Sequence, residues 1–157
     1  MKVKLFQFIT LFFLLLLTGV FWGNYLSLSR SFEVFSADEL IHLAKTLVQN
    51  LAVPMRIISP VCILLMCICT WFEPNKRSKE FYFEIAAILL IVLTLTLTVG
   101  IEVPINNQII SWTPETIPDD WQITRDRWQF FNGIRTVSAL LGFVFFTMAI
   151  IKPFDKE

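Results

Sequence analysis

Apolar residues fall into four long runs along the chain, each closed at both ends by polar residues. A helix needs about 20 mostly apolar residues to cross a bilayer. The runs lie over about Leu5–Leu28, Pro54–Phe72, Phe81–Ile101 and residues 130–151, the apolar part of the last beginning near Thr136. They are too long for barrel strands and do not alternate, and only helices and closed barrels satisfy their backbones within lipid. The pattern predicts an all-α fold, a single membrane domain built as a four-transmembrane-helix bundle.

Two polar-to-apolar boundaries extend this picture. Ser36 followed by Glu39 is a capping box, with a hydroxyl for the free N–H groups of a helix start and a carboxylate reaching back. Leu40, Leu43, Ala44, Leu47 and Leu51 then follow at helical spacing, so an outer amphipathic helix is predicted over about residues 37–50. It can run on into the second span, with a kink at Pro54. Pro118 suits the first turn of a helix, and Asp119 and Asp120 complement its positive end. A helix from Pro118 to Ile151 would be about 50 Å long at 1.5 Å per residue, more than the roughly 30 Å of a hydrocarbon core. Its first turns must stand outside the lipid, and with residues 37–50 they form a helical extracytoplasmic cap.

Lysine and arginine set the expected orientation. Lys2 and Lys4 precede the first run, Lys76, Arg77 and Lys79 fill the turn between the second and third, and Lys152 and Lys156 follow the fourth. Four spans put all three groups on one side, so both termini are expected to be cytoplasmic. The segments on the other side carry Glu33, Asp38, Glu39, Glu115, Asp119 and Asp120. The stretch after Lys4 is too long for a signal-peptide core, and Trp22, Asn24 and Tyr25 stand where small residues would mark a cleavage site. A retained helix is expected.

Composition agrees. Of 157 residues, 55% are hydrophobic and 17% charged, with mean hydropathy +0.66, against about 25% charged in soluble domains. The net charge of zero and the lack of a basic stripe set nucleic acid aside as a partner. Cys62, Cys67 and Cys69 all lie in one apolar run. There they read as small apolar side chains, not as a disulfide or zinc framework.

The polar residues that remain concentrate at the outer end. Glu102, Asn106, Asn107, Trp112, Trp121, Arg125, Trp128, Asn132 and Arg135 form the densest group. Arg125, Trp128, Asn132 and Arg135 are spaced 3, 4 and 3, which places them on one helix face, and Ser138 and Gly142 continue the stripe. A charged residue at membrane depth normally faces the bundle interior and is paired. Arg135 is therefore expected to point inward, with Glu102 and Asn106 as partners and with Arg56 and Asn24 completing the ring. Such a ring would suit a planar aromatic or quinone-like anion, held by guanidinium and stacked on indole. The same residues also fit an interfacial aromatic belt, snorkelling arginines and a helix tie. His42, the only histidine, belongs to the charged outer helix, so paired axial haem ligands are excluded within one chain. No carboxylate–histidine cluster offers a metal site. Thr94 and Thr98 are expected to bond back to their own helix or across to a neighbour.

The run from Val103 to Trp112, with Pro104 and Asn106, followed by Trp121, Arg125, Arg127, Trp128, Asn132, Arg135 and Thr136, resembles the anthrone oxygenase-like family of small four-helix membrane proteins. That family carries Pro-x-Asn after its third helix, a Trp-x3-Arg-x2-Trp run, and Arg-Thr entering the fourth. The motif covers about a quarter of the chain, and the hydropathy of the whole fits. The resemblance implies oxidation of an anthrone to an anthraquinone by dioxygen with no cofactor, and a bacterial plasma membrane. It makes Arg135, Asn106 and Arg125 the catalytic candidates, the arginines holding an anthrone anion and Asn106 or Asn132 its carbonyl. Asn132, Trp128, Glu102, Trp112, Trp121, Asn24 and Arg56 become ligand-binding candidates. No histidine stands in the motif region as a base.

Two readings stay open at this point. One is a membrane protein that binds, and oxidises, a hydrophobic aromatic small molecule. The other is a non-enzymatic accessory or scaffold whose partners are membrane lipids or helices. A homo-oligomer is compatible with either, although five glycines do not indicate glycine-driven assembly.

Overall fold

The fold is described from a computed structural model over residues 2–29, 31 and 34–151. Glu33, Lys152 and Lys156 lie outside the described residues, as does the side chain of Lys2. Helix α1 spans Lys2–Asn24 and ends in a wide π-turn, Tyr25–Ser29. Helix α2 spans Ala37–Phe72. Helix α3 spans Lys79–Leu97 and passes through a second π-turn, Thr98–Glu102, into α4, Val103–Ser111. Helix α5 spans Trp121–Ile151. Four helical segments are long and apolar enough to cross a membrane: Val3–Leu28, Ala37–Phe72, Lys79–Ser111 and Trp121–Ile151. Among the described residues there is no strand.

The capping box forms at the start of α2. The Ser36 N–H donates to Glu39 Oε2 at 2.8 Å, and the Glu39 N–H donates to Ser36 Oγ at 3.4 Å. From there α2 continues as one helix through Pro54 and Pro60 to Phe72. Each proline removes one backbone donor; the carbonyl four residues before Pro60 is that of Arg56. At the other end of α2, Lys76 Nζ donates to the Thr70 and Trp71 carbonyls at 2.6 and 2.8 Å, satisfying two of the helix's last acceptors.

The third segment runs ten residues past Ile101, to Ser111. Pro104 lacks the donor for a normal turn, and the chain answers with a π-turn, in which the Val103 N–H reaches the Thr98 carbonyl. The extra residue turns the helix by roughly 100°, and Glu102 is fully buried as a result. Helix α5 starts at Trp121, three residues after Pro118. Pro118 and Asp120 instead sit in the preceding turns, where their carbonyls accept from the N–H groups of Trp121 and Ile123 at 3.2 and 2.9 Å.

In the bundle α1 and α3 each lie beside both α2 and α5, and the longest pairing is α3 with α5. That pairing is close at Gly142, where an added Cβ would stand 2.9 Å from Ile91 Cδ1 and 3.4 Å from the Ala87 carbonyl. The apolar core is in two parts. Leu14, Leu17, Cys62, Met66, Ile91, Ala139 and Phe146 fill the half nearer the basic turn. Leu40, Ile41, Ala44, Ile105, Ile109, Trp112 and Trp128 join the outer half of α2 to α4 and the start of α5. Large apolar residues such as Leu64, Trp71, Leu89, Val137 and Val144 are exposed around the outside, as befits a surface solvated by lipid.

Candidate functional site

A cavity of about 330 Å³ lies between these two parts of the core. Phe21 of the first part and Leu40, Ala44, Ile109 and Trp128 of the second all line it. Its α2 wall runs from Leu40 to Ser59, about 28 Å of helix. The volume is at the lower end of the roughly 300–1,000 Å³ usual for small-molecule sites. Most of the wall is aliphatic, from Leu47, Val48, Leu51, Met55, Leu95, Val99 and Val103. Set into it are Asn24, Arg56, Ser59, Thr98, Asn106, Asn107, Arg125 and Arg135.

The polar stripe of α5 points into this end of the bundle. Trp128, Asn132, Arg135, Ser138 and Gly142 are all buried, and Arg125 is half-buried. Arg135, 7% exposed, is held on several sides. Its Nη2 donates to Asn132 Oδ1 at 2.6 Å and lies 3.8 Å from Glu102 Oε2. Its Nη1 donates to Thr98 Oγ1 at 3.5 Å. Its guanidinium carbon stands 4.7 Å from the centre of the Phe21 ring, within cation–π range.

Asn106 does not pair with Arg135. Its Oδ1 accepts from Trp128 Nε1 at 3.0 Å, and the inner amide that holds Arg135 is Asn132, one turn away on the same helix. The reason is depth. Asn106 stands one turn beyond Glu102, level with Trp128, while Asn132 is three residues from Arg135 on the same face.

The predicted ring assembles only in part. Asn24, Arg56, Asn106, Arg125, Trp128 and Arg135 reach one cavity. Asn132 and Glu102 stand behind Arg135 and are not on the wall. Trp112 is buried in the outer core. Trp121 packs against that core with Arg125 5.4 Å from its ring centre, while Arg125 also pairs with Asp126 at 2.8 Å. Phe21, Thr98 and the α2 wall other than Arg56 were not legible as site residues. Phe21 reads only as one more apolar residue of the first run, and Thr98 reads with Thr94 as a hydroxyl bonding back to its own helix. Thr94 and Thr98 bond back to the Leu90 and Thr94 carbonyls at 2.9 and 2.7 Å, and Thr94 also reaches the Arg135 carbonyl at 3.5 Å.

Chemically, the cavity offers fixed donors in apolar surroundings. With Trp128 holding the Asn106 oxygen, the Asn106 NH2 is the end left to meet a ligand. Arg135 and Arg56 add cationic donors. A flat, apolar molecule with one anionic or carbonyl oxygen fits this set better than a wholly apolar or a strongly hydrated one.

No curated protein and no solved structure matches the chain. The family model described as anthrone oxygenase matches residues 48–145, which takes in most of α2, all of α3 and α4, and most of α5. The stretch carries Pro104, Asn106, Trp128 and Arg135 and the cavity lining from Val48 onward, and the chain belongs to the anthrone oxygenase family.

Proposed function

We propose that this protein binds a hydrophobic aromatic or quinone-like molecule in the cavity between α2 and α5, and that it oxygenates an anthrone-type substrate there without a cofactor. The observation that carries the reading is that an apolar cavity reaches the buried guanidinium of Arg135. A helix tie would need no such space beside the arginine. In this reading Arg135 and Arg125 stabilise the substrate anion, Asn106 donates to its oxygen, and Trp128 and Asn24 shape the pocket. Asn132 and Glu102 orient Arg135 from behind, and Trp112 and Trp121 support the outer wall. Electrostatic stabilisation of an anion in a site shielded from water is the largest single contribution such a pocket can make to rate.

The proposal also sets the orientation. Lys76, Arg77 and Lys79 occupy the end of the bundle opposite the cavity. With those residues and both termini in the cytoplasm, the cavity belongs to the outer half of the membrane. The family suggests the bacterial plasma membrane.

Dioxygen consumption by the purified protein in lipid nanodiscs, with an anthrone as substrate, tests the reading. Wild type should exceed autoxidation clearly and Arg135→Ala should fall back towards it. A wild-type rate equal to autoxidation overturns the oxygenase assignment.

A further inference from the structure

The family chemistry asks for a base, and the motif region holds no histidine. The structure supplies a different group. Glu102 is fully buried, and neither of its carboxylate oxygens accepts a hydrogen bond among the described residues. Its closest charged neighbour is Arg135, Nη2 to Oε2 3.8 Å, beyond hydrogen-bond length. Arg135 spends that same nitrogen on Asn132 at 2.6 Å. A buried carboxyl is normally well supplied with donors, so Glu102 has lone pairs to spare beside Arg135, one of three arginines that face the cavity.

We infer that Glu102 is the proton acceptor for a weakly acidic ligand of this cavity, and that the ligand is held at Arg135 as its anion while Glu102 becomes neutral. The inference rests on the proposed binding site and gives it a ligand class: phenols and enolisable aromatic ketones. The step balances simply. An O–H or C–H bond of the ligand breaks and its electron pair stays on the ligand. An O–H bond forms on Glu102 through one relaying water, because Glu102 stands behind Arg135 and not on the cavity wall. Nothing is oxidised or reduced, and the cavity's net charge is unchanged.

The charge balance is the physical reason. The guanidinium keeps its charge at all accessible pH, and an isolated charge in a low-dielectric interior is costly. Glu102 offsets it when the cavity holds no anion. An incoming anion would place two negative charges around one cation, which disfavours ionisation of one of them. Moving the ligand's proton to Glu102 removes that conflict. The groups that can compete are few. The π-turn carrying Glu102 packs against α5, which contributes Arg135 there. Across the cavity stand Arg56 of α2 and Arg125, the latter tied to Asp126. From α1, Tyr25 rests against Gly133, two residues from Arg135.

The test uses the full chain in nanodiscs at pH 7 and two probes that do not turn over. The first is a hydroxyanthraquinone, whose phenolate absorbs at longer wavelength than its phenol. The second is an anthraquinone sulfonate, a permanent anion. Wild type should bind the first as phenolate with no net proton released to a weakly buffered solution, and should take up about one proton per sulfonate bound. Glu102→Gln should bind the first as phenolate but release about one proton per ligand to solution, and should bind the second about tenfold more tightly, with no proton uptake. The wild-type proton counts do not depend on any variant folding. A phenol spectrum in wild type, a full proton released with the phenolate by wild type, or no proton released with the phenolate by Glu102→Gln overturns the role of Glu102 while leaving the binding site in place. Failure of either probe to bind wild type overturns both.

Discussion

The indole N–H of Trp128 donates to the side-chain oxygen of Asn106 at 3.0 Å, joining α5 to α4 across the outer end of the cavity. This single bond decides which end of the Asn106 amide is used up. The oxygen faces the indole, and the NH2 group remains as a donor. If that donor meets a ligand anion, Asn106→Asp should weaken binding of an anthraquinone sulfonate about 10- to 100-fold. Hydrogen bonds to charged groups contribute roughly 1.5–3 kcal/mol, and the substitution both removes the donor and adds a like charge. Trp128→Phe should weaken binding less, because the amide is released but not lost. Titration by tryptophan quenching, with Gln108→Glu, exposed and off the cavity wall, as a neighbouring control, measures the difference.

Arg135 and Glu102 should also be coupled in stability. Removing one member of a buried pair leaves an uncompensated charge and typically costs about 3–5 kcal/mol. Arg135→Met is expected to destabilise the folded protein by an amount of that order. Adding Glu102→Gln to it should recover part of the loss, since the charge left behind is then gone. A double-mutant cycle on reversible unfolding in mixed micelles reads the coupling. Strict additivity of the two substitutions would mean that the 3.8 Å approach contributes nothing.

Gly142 tests the tightest helix contact. A side chain there must displace Ile91, which already stands 2.9 Å from the position of a Cβ. Gly142→Val should cost about 1–3 kcal/mol through overpacking. Gly19 on α1 has nothing within 4 Å of an added Cβ, so Gly19→Ala should be neutral or stabilising by up to about 1 kcal/mol. Thermal unfolding of the two variants side by side separates packing from general effects of altering a membrane helix.

The capping box predicts a local effect. Ser36→Ala removes the acceptor for the Glu39 N–H and should cost about 0.5–2 kcal/mol. The loss should appear as faster amide exchange at Glu39 and Leu40, with exchange in the inner half of α2 unchanged. Equal acceleration along the whole helix would show that its outer and inner halves unfold together.

Orientation can be checked independently of chemistry. A fluorescent protein fused after Glu157 should fold and emit, because the proposal puts that end in the cytoplasm. A periplasmic phosphatase inserted at Glu115, in the exposed turn before α5, should be active. The reverse pair of signals would invert the topology and move the cavity to the inner half of the membrane.

Much of this molecule follows from one-dimensional pattern. The four apolar runs specify four helices, because a chain in lipid must satisfy its backbone internally. Ser36 and Glu39 mark the start of α2, because a cap is a local arrangement of four residues. The 3, 4, 3 spacing on α5 puts Trp128, Asn132 and Arg135 on one face by helical geometry alone. Other features depend on which residues of different helices come level. Glu102 is near Arg135 only because a π-turn rotates it inward, and Asn106 meets Trp128 because it lies one turn farther out. Phe21 under the guanidinium, Ile91 against Gly142 and the cavity itself belong to the same class. A helix reports its own face through its period. The height and rotation at which it meets a neighbour depend on packing summed over the whole bundle, and that was settled only in the tertiary structure.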